Sequence, residues 1–207
     1  MTSVNVALAN MTLFKGLVPY GLLTNMLNEV AQIEQDVASA EETTSGLSSR
    51  GVPKHYRFTK ATEDLLKEYI LECTMLYRDS CHYLRTFDSP NVSPQYYCER
   101  PWINFQKAGE FIPNHMHGGV LSYVIWLRIP QVVDYTKDQF SGQLEFTYTD
   151  ILGRTQGATM NVDSNSVGNI MVFPSLLRHC VYPFSDSTEV RISVSGNVFL
   201  GEEPVLK

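Results

Sequence analysis

The sequence predicts a mainly β protein, a sandwich or double-sheet jelly roll with two helices set ahead of it. From Trp102 onward the chain falls into short segments rich in β-branched and aromatic residues, with Gly or Asp at the breaks. About eight such strands in roughly 100 residues suit a two-sheet fold. Before Trp102, two segments repeat apolar residues at spacings of three and four, which is the mark of a helix with one buried stripe.

The 207 residues are enough for one substantial domain. The expected organisation is a single domain over 1–207, with 1–100 as helical and loop support and 101–200 as the β core. Residues 4–18 read as a short strand and a turn, with Val4, Val6 and Leu8 alternating ahead of Leu13, Phe14, Leu17 and Val18. Pro19 opens a helix whose buried stripe is Leu23, Met26, Leu27, Val30 and Ile33. Residues 39–51 are small and polar, a loop and candidate lid. A second helix is capped by Thr59 or Thr62. Glu63 and Asp64 lie in its first turn, where carboxylates complement the helix dipole. Leu66, Tyr69, Ile70, Cys73, Leu76 and Tyr77 make its buried face, and it runs to about Leu84. Residues 88–101, DSPNVSPQYYCERP, read as a loop that could cover a pocket mouth. The strands that follow are Trp102–Lys107, Glu110–His117, Val120–Ile129, Gly142–Thr149, Gly157–Val162, Gly168–Phe173, His179–Phe184 and Glu189–Phe199.

Hydrophobic residues at 43% and charged residues at 18% are ordinary for a soluble globular chain. A net charge of −6 gives no default basic face, so nucleic acid is not an expected partner. No run of 18 apolar residues implies a membrane span, and the N-terminus lacks a signal-peptide pattern. A cytoplasmic location is expected, the host cytoplasm if the source is viral. Cys73, Cys81, Cys98 and Cys180 form no C-x-x-C pair and read as reduced thiols. Cys180 follows His179, so on a strand it faces away and reads as core packing.

The chemistry gathers around Phe105–Leu127, FQKAGEFIPNHMHGGVLSYVIWL. His115 and His117 are two residues apart, which on an extended strand puts both imidazoles on one face. His179 follows in VFPSLLRHCVYPF, and Arg191 with Ser193 in VRISVSG. Neutral imidazole is the commonest ligand of borderline transition ions, and three protein ligands leave coordination positions open. Arginine beside a hydroxyl is a carboxylate clamp. An isolated H-x-H is more often a pair of surface strand residues; the ordered residues around it are what lower that reading. His82 is accounted for by its place near a helix C-terminus, and His55 sits in a loop without a partner motif, so neither enters the candidate site. Tyr96, Tyr97 and Tyr123 read as core or as the pocket entrance.

The ordered set H-x-H (His115, His117), G-x-L-x-F (Gly142 to Phe146), F-P-S-x-x-x-H (Phe173 to His179) and R-x-S (Arg191, Ser193) resembles the 2-oxoglutarate- and Fe(II)-dependent oxygenases. Among them it is most similar to small oxygenases of bacteria and phages related to aspartyl/asparaginyl and prolyl hydroxylases. The resemblance covers about half the chain. It implies a double-stranded β-helix, cupin-like, and the cofactors Fe(II), 2-oxoglutarate and O2. It implies His115 and His179 as iron ligands and Arg191 on the far carboxylate of 2-oxoglutarate, with Ser193 as hydroxyl helper. Asn104 falls at a polar cosubstrate contact, and Trp126 at a position that walls or binds the cosubstrate. The family's third ligand is usually a carboxylate. Here that place holds His117, which either ligates iron or holds a water or substrate. The implied reaction hydroxylates a peptide or protein side chain, or a small molecule, releasing succinate and CO2. Two other readings stand beside it: a three-histidine cupin-type dioxygenase not using 2-oxoglutarate, and a non-enzymatic jelly-roll binding module. Halogenation would need a vacant ligand position, which His117 opposes.

Overall fold

The computed structural model describes residues 12–43, 53–88, 94–130, 140–185 and 187–202. Two helices, α1 (Tyr20–Gln35) and α2 (Lys60–Ser80), are interleaved with the first strands: β1 (Phe14–Leu17), β2 (Glu42–Thr43) and β3 (Lys54–Tyr56). After β4 (Tyr96–Cys98) come β5 (Trp102–Gln106), β6 (Ile112–His115), β7 (Leu121–Arg128), β8 (Leu144–Thr149), β9 (Thr155–Met160), β10 (Asn169–Pro174), β11 (Arg178–Val181) and β12 (Arg191–Leu200). The strands form two antiparallel sheets. The major one runs β1-β10-β7-β12-β5-β3-β2, with β4 also on β12, and the minor one runs β6-β11-β8-β9. This is a jelly roll, and β5 to β12 correspond one to one with the eight strands the alternation predicts.

Strand alternation divides the interior in two. On β7, Leu121, Tyr123, Ile125 and Leu127 join a core with Met26, Val30, Leu66, Ile70 and Tyr77 of the helices, while Trp126 belongs to the cluster between the sheets. On β12, Ile192, Val194 and Val198 take the helix side, leaving Arg191, Ser193, Ser195 and Asn197 on the other face. Between the sheets the apolar cluster is smaller: Trp126, Leu144, Phe146, Val162, Met171, Phe173 and Leu177. The rest of that space is cavity.

Several expectations shift. The α1 stripe keeps Met26, Val30 and Ile33 but adds Leu22; Leu27 is exposed and Leu23 half-buried, because the buried face is centred on the Leu22 side. On α2, Leu76 is exposed, and half-buried Tyr69 donates its hydroxyl to the Leu17 carbonyl. The helix ends at Ser80, where Cys81 turns extended, and His82–Phe87 form a separate 3-10 turn. Thr59 occupies the N-cap position of α2, but its hydroxyl and N–H both donate to Glu29 of α1, at 2.6 and 2.8 Å. The cap is thus a tie between helices. The N-terminal half is more than support, since β1, β2 and β3 extend the major sheet, and Tyr96–Cys98 forms a strand within the expected 88–101 loop. Of the candidate lid, Glu42–Thr43 is strand, and residues 44–52 lie outside the described residues, as do 4–11 and 89–93. Cys180 faces away from His179, but it is half-buried beside Glu145 and Tyr182 rather than in the core.

One close approach fixes β7 against β12. Gly196 stands opposite Tyr123, and a Cβ there would lie 2.5 Å from the Tyr123 hydroxyl and 2.8 Å from its ring carbon. Tyr123 is fully buried and packed in the helix-side core, so its ring can yield only by disturbing that packing. Gly196→Ala should lower stability by about 1–3 kcal/mol, the range for overpacking. Chemical denaturation checks this, and an unchanged midpoint would mean that the ring has room.

Candidate metal and cosubstrate site

β6 and β11 are neighbours, and their register sets His115 directly opposite His179. The rings lie 4.3 Å apart between centroids. β6 ends at His115, so His117 is beyond the strand rather than on it. Its N–H donates to the Ser175 carbonyl at 2.9 Å, and its ring still returns to the same side, 4.7 Å from His115 and 5.2 Å from His179. One ring nitrogen from each of the three lies within 4.8 Å of the others.

The backbone selects the tautomers. His115 Nδ1 is 2.7 Å from the Pro113 carbonyl, and His179 Nδ1 is 2.8 Å from that of Leu177. A carbonyl only accepts, so each Nδ1 carries the proton and each Nε2 keeps its lone pair for a metal. His115 Nε2 and His117 Nε2 are 3.1 Å apart. Two nitrogens bound at about 2.1 Å, at right angles on one ion, would be about 3.0 Å apart. The donor set therefore fits a mononuclear transition metal with open positions.

Burial holds these imidazoles neutral. It draws His179 down to about 3 and His117 to about 4, and lowers His115. In the unfolded chain they protonate near 6.5, so below that pH the unfolded state binds more protons. These groups should cost the metal-free protein stability as pH falls from 6.5 towards 3–4, and contribute no change above about 7. Melting temperatures across that range test the sign.

Asn104, Ser193 and Trp126 form a row across three strands, Ser193 pairing with Asn104 on one side and Trp126 on the other. Asn104 donates to the Ser193 hydroxyl at 3.3 Å and to that of Ser195 at 3.1 Å. Trp126 is buried, and its indole N–H meets no acceptor among the described residues. An orphaned donor on a cavity wall is what a missing polar ligand leaves behind. Arg191 is buried at the end of the row, opposite Gln106, and donates to the carbonyl of Gly142. Gly142 has φ +66, which brings that carbonyl to the arginine. Gln106 donates to the Glu110 carbonyl at 2.7 Å.

All seven expected site residues line one cavity of about 470 Å³. Further polar side chains line the cavity beyond the expected set, among them Gln106, His55, Arg57 and Glu99. Gln106 was findable as the next inward position after Asn104. His55 lies on β3, opposite Asn104, rather than in a loop, and burial pulls its pKa to about 4. Arg57 and Glu99 line the cavity as well, with no local motif to announce them. Tyr123 is on the wall, whereas Tyr97 stacks on Phe199 with centroids 5.3 Å apart.

Residues 100–197 match the family described as "Putative 2OG-Fe(II) oxygenase". The matched segment, just under half of the chain, holds the β core and is similar to this family along its length. The enzymes of this family use Fe(II), 2-oxoglutarate and O2, and the oxygenase carries its histidine cluster and Arg191 within the matched segment. Solved structures share the fold. A Pseudomonas putida prolyl-4-hydroxylase aligns at 14% identity over 90% of this chain and 92% of its own, with a TM-score of 0.55. A Trichoplax adhaerens prolyl hydroxylase, in complex with a hypoxia inducible factor oxygen degradation domain peptide fragment, aligns at 11% over 92% and 82%, with a TM-score of 0.56. The alpha-ketoglutarate-dependent epimerase SnoN of nogalamycin biosynthesis aligns at 15% over 90% and 78%, also at 0.56. Comparison with curated proteins finds no match. Among the described residues, no helix of the oxygenase is long and apolar enough to cross a membrane.

Proposed function

We propose that this oxygenase hydroxylates a C–H bond of a peptide or protein side chain, or of a small molecule, with His115, His117 and His179 holding iron. The observation that carries the reading is three converging imidazoles in a cavity whose far wall holds a buried arginine. The peptide alternative draws on the fold shared with a peptide-bound prolyl hydroxylase. Bound iron with O2 and 2-oxoglutarate supplies the oxidant: one oxygen atom enters the substrate, the other enters succinate, and CO2 leaves.

The chain's own part is placement. Arg191 takes the far carboxylate of 2-oxoglutarate, a charge-assisted contact in a dry site. The Ser193 hydroxyl and the Asn104 amide add donors along the same row, and Trp126 Nε1 gains the acceptor it lacks. Leu144, Phe173, Val181 and Ile112 wall the cavity with apolar surface and keep bulk water from the reacting groups. The neutral ligand set with His117 favours a second reading, a three-histidine dioxygenase that does not use 2-oxoglutarate. Adding 2-oxoglutarate to Fe(II)-loaded protein without O2 separates the two. A metal-to-ligand absorbance band is expected; metal binding without the band favours the second reading, and no metal binding rejects both.

A further inference from the structure

The two ends of the cavity differ. On β12, alternate residues advance about 6.6 Å, so Asn197 lies roughly 20 Å along from Arg191. Trp102, opposite Ser195, is 5.9 Å from His117 between ring centroids, so the histidines lie beside the middle of this row. Beyond Trp102, away from Arg191, the wall carries Arg57 and Glu99. Arg57 is half-buried, and its guanidinium donates to the carbonyls of Arg100 and Pro101, both at 2.7 Å, and to the Thr43 hydroxyl at 3.4 Å. It forms no ion pair among the described residues, and residues 44–52 carry no carboxylate side chain. Its neighbour Arg100 differs, being paired with Glu41 and Glu63 at 3.0 and 2.8 Å. Glu99, half-buried, accepts from the Asn197 amide and also forms no ion pair among the described residues. Two opposite charges thus line one cavity with neutral hydrogen-bond partners. They attract each other, and Glu41 and Glu63 also favour the guanidinium, but neither is in a direct ion pair among the described residues, an arrangement a zwitterionic ligand completes. Burial works against both ions, lowering the pKa of Arg57 and raising that of Glu99. The same cavity is lined by Trp102, with His55 stacked on it at 6.2 Å, and by Tyr123.

We propose that this end binds the primary substrate, and that the substrate is a free α-amino acid, its carboxylate on Arg57 and its ammonium on Glu99, with the side chain passing Trp102 towards the histidines. A residue within a peptide has lost both charges, so the pair selects the free zwitterion. The proposal rests on the oxygenase reading above and narrows its substrate.

The test uses full-length protein loaded with Mn(II) and 2-oxoglutarate, and ligand-detected NMR of the twenty proteinogenic L-amino acids. Each is also offered as its N-acetyl and its carboxamide form. At least one free amino acid should bind, with side-chain protons broadened by Mn(II) more than the α-proton. Acetylation and amidation should each weaken it tenfold or more, and these blocked ligands need no variant. Glu99→Gln should erase the penalty for acetylation. Arg57→Gln should erase that for amidation, and Arg57→Lys should keep part of it. If 2-oxoglutarate binds but none of the twenty does, or if blocked forms bind equally well, the proposal is overturned while the oxygenase reading stands. If neither metal nor 2-oxoglutarate binds, the oxygenase reading falls and takes the proposal with it.

Discussion

His179→Ala should weaken metal binding by more than about 100-fold, a larger loss than substitutions outside a metal's own ligands produce. His179 is the most deeply buried of the three histidines, and its ring is held in place. Its Nδ1 is fixed by the Leu177 carbonyl, and its faces are packed by Phe173 and Phe146 at centroid distances of 4.9 and 5.9 Å. The lost ligand is therefore one whose ordering cost was met on folding. His117→Ala should cost less, about tenfold, because no backbone carbonyl pins its ring and two pinned imidazoles remain. Calorimetric titration of the apoprotein with Mn(II) or Fe(II) measures both. Wild-type affinity in His179→Ala would show that the cluster is not a metal centre.

Arg191→Gln should leave metal affinity intact and raise the Kd for 2-oxoglutarate by about 30- to 3000-fold. That range is the 2–5 kcal/mol typical when one partner of a buried charge pair is truncated, at about 1.4 kcal/mol per tenfold. Arg191→Lys should recover only part of it, since an ammonium keeps the charge but not the planar fork. The carbonyl of Gly142, pre-aimed by its positive φ, is set for a guanidinium N–H. Displacement of 2-oxoglutarate from Mn(II)-loaded variants gives the numbers. Equal affinity in Arg191→Gln would hand the site to the three-histidine reading.

Much of this was legible in the sequence because long elements advertise their period. β7 and β12 are eight and ten residues long, enough for alternation to show which residues point inward. β2 and β3 have two and three residues, too few for any period, so His55 was read as loop. On α1 the stripe holds at Met26, Val30 and Ile33 but takes Leu22 in place of Leu23 and Leu27, because Leu22 and Leu23 both fit a spacing of four to a later apolar residue and only the sheet's position chooses between them. Within the site, residue types and order marked His115, His179 and Arg191. The pairing of His115 with His179 is a matter of register between strands more than 60 residues apart, and local sequence does not encode it. Arg57 reaches the cavity from just past the added strand β3, and Glu99 from a segment that reads as loop, so they become visible only when the sheet is assembled.

Strand β12 serves two masters with the same ten residues: Arg191, Ser193 and Ser195 face the chemistry, while Ile192, Val194 and Val198 hold the helices. Inserting or deleting one residue there would trade the two sets, sending an arginine into the oil and an isoleucine to the cosubstrate. Variation in chain length is thus barred from this strand and has to be absorbed elsewhere, as at the turn holding Gly153, where nothing lies within 4 Å of an added Cβ. A lineage of such proteins could change what it acts upon by altering the rim around β3 and Glu99, while the spine beneath it drifts only by like-for-like exchange.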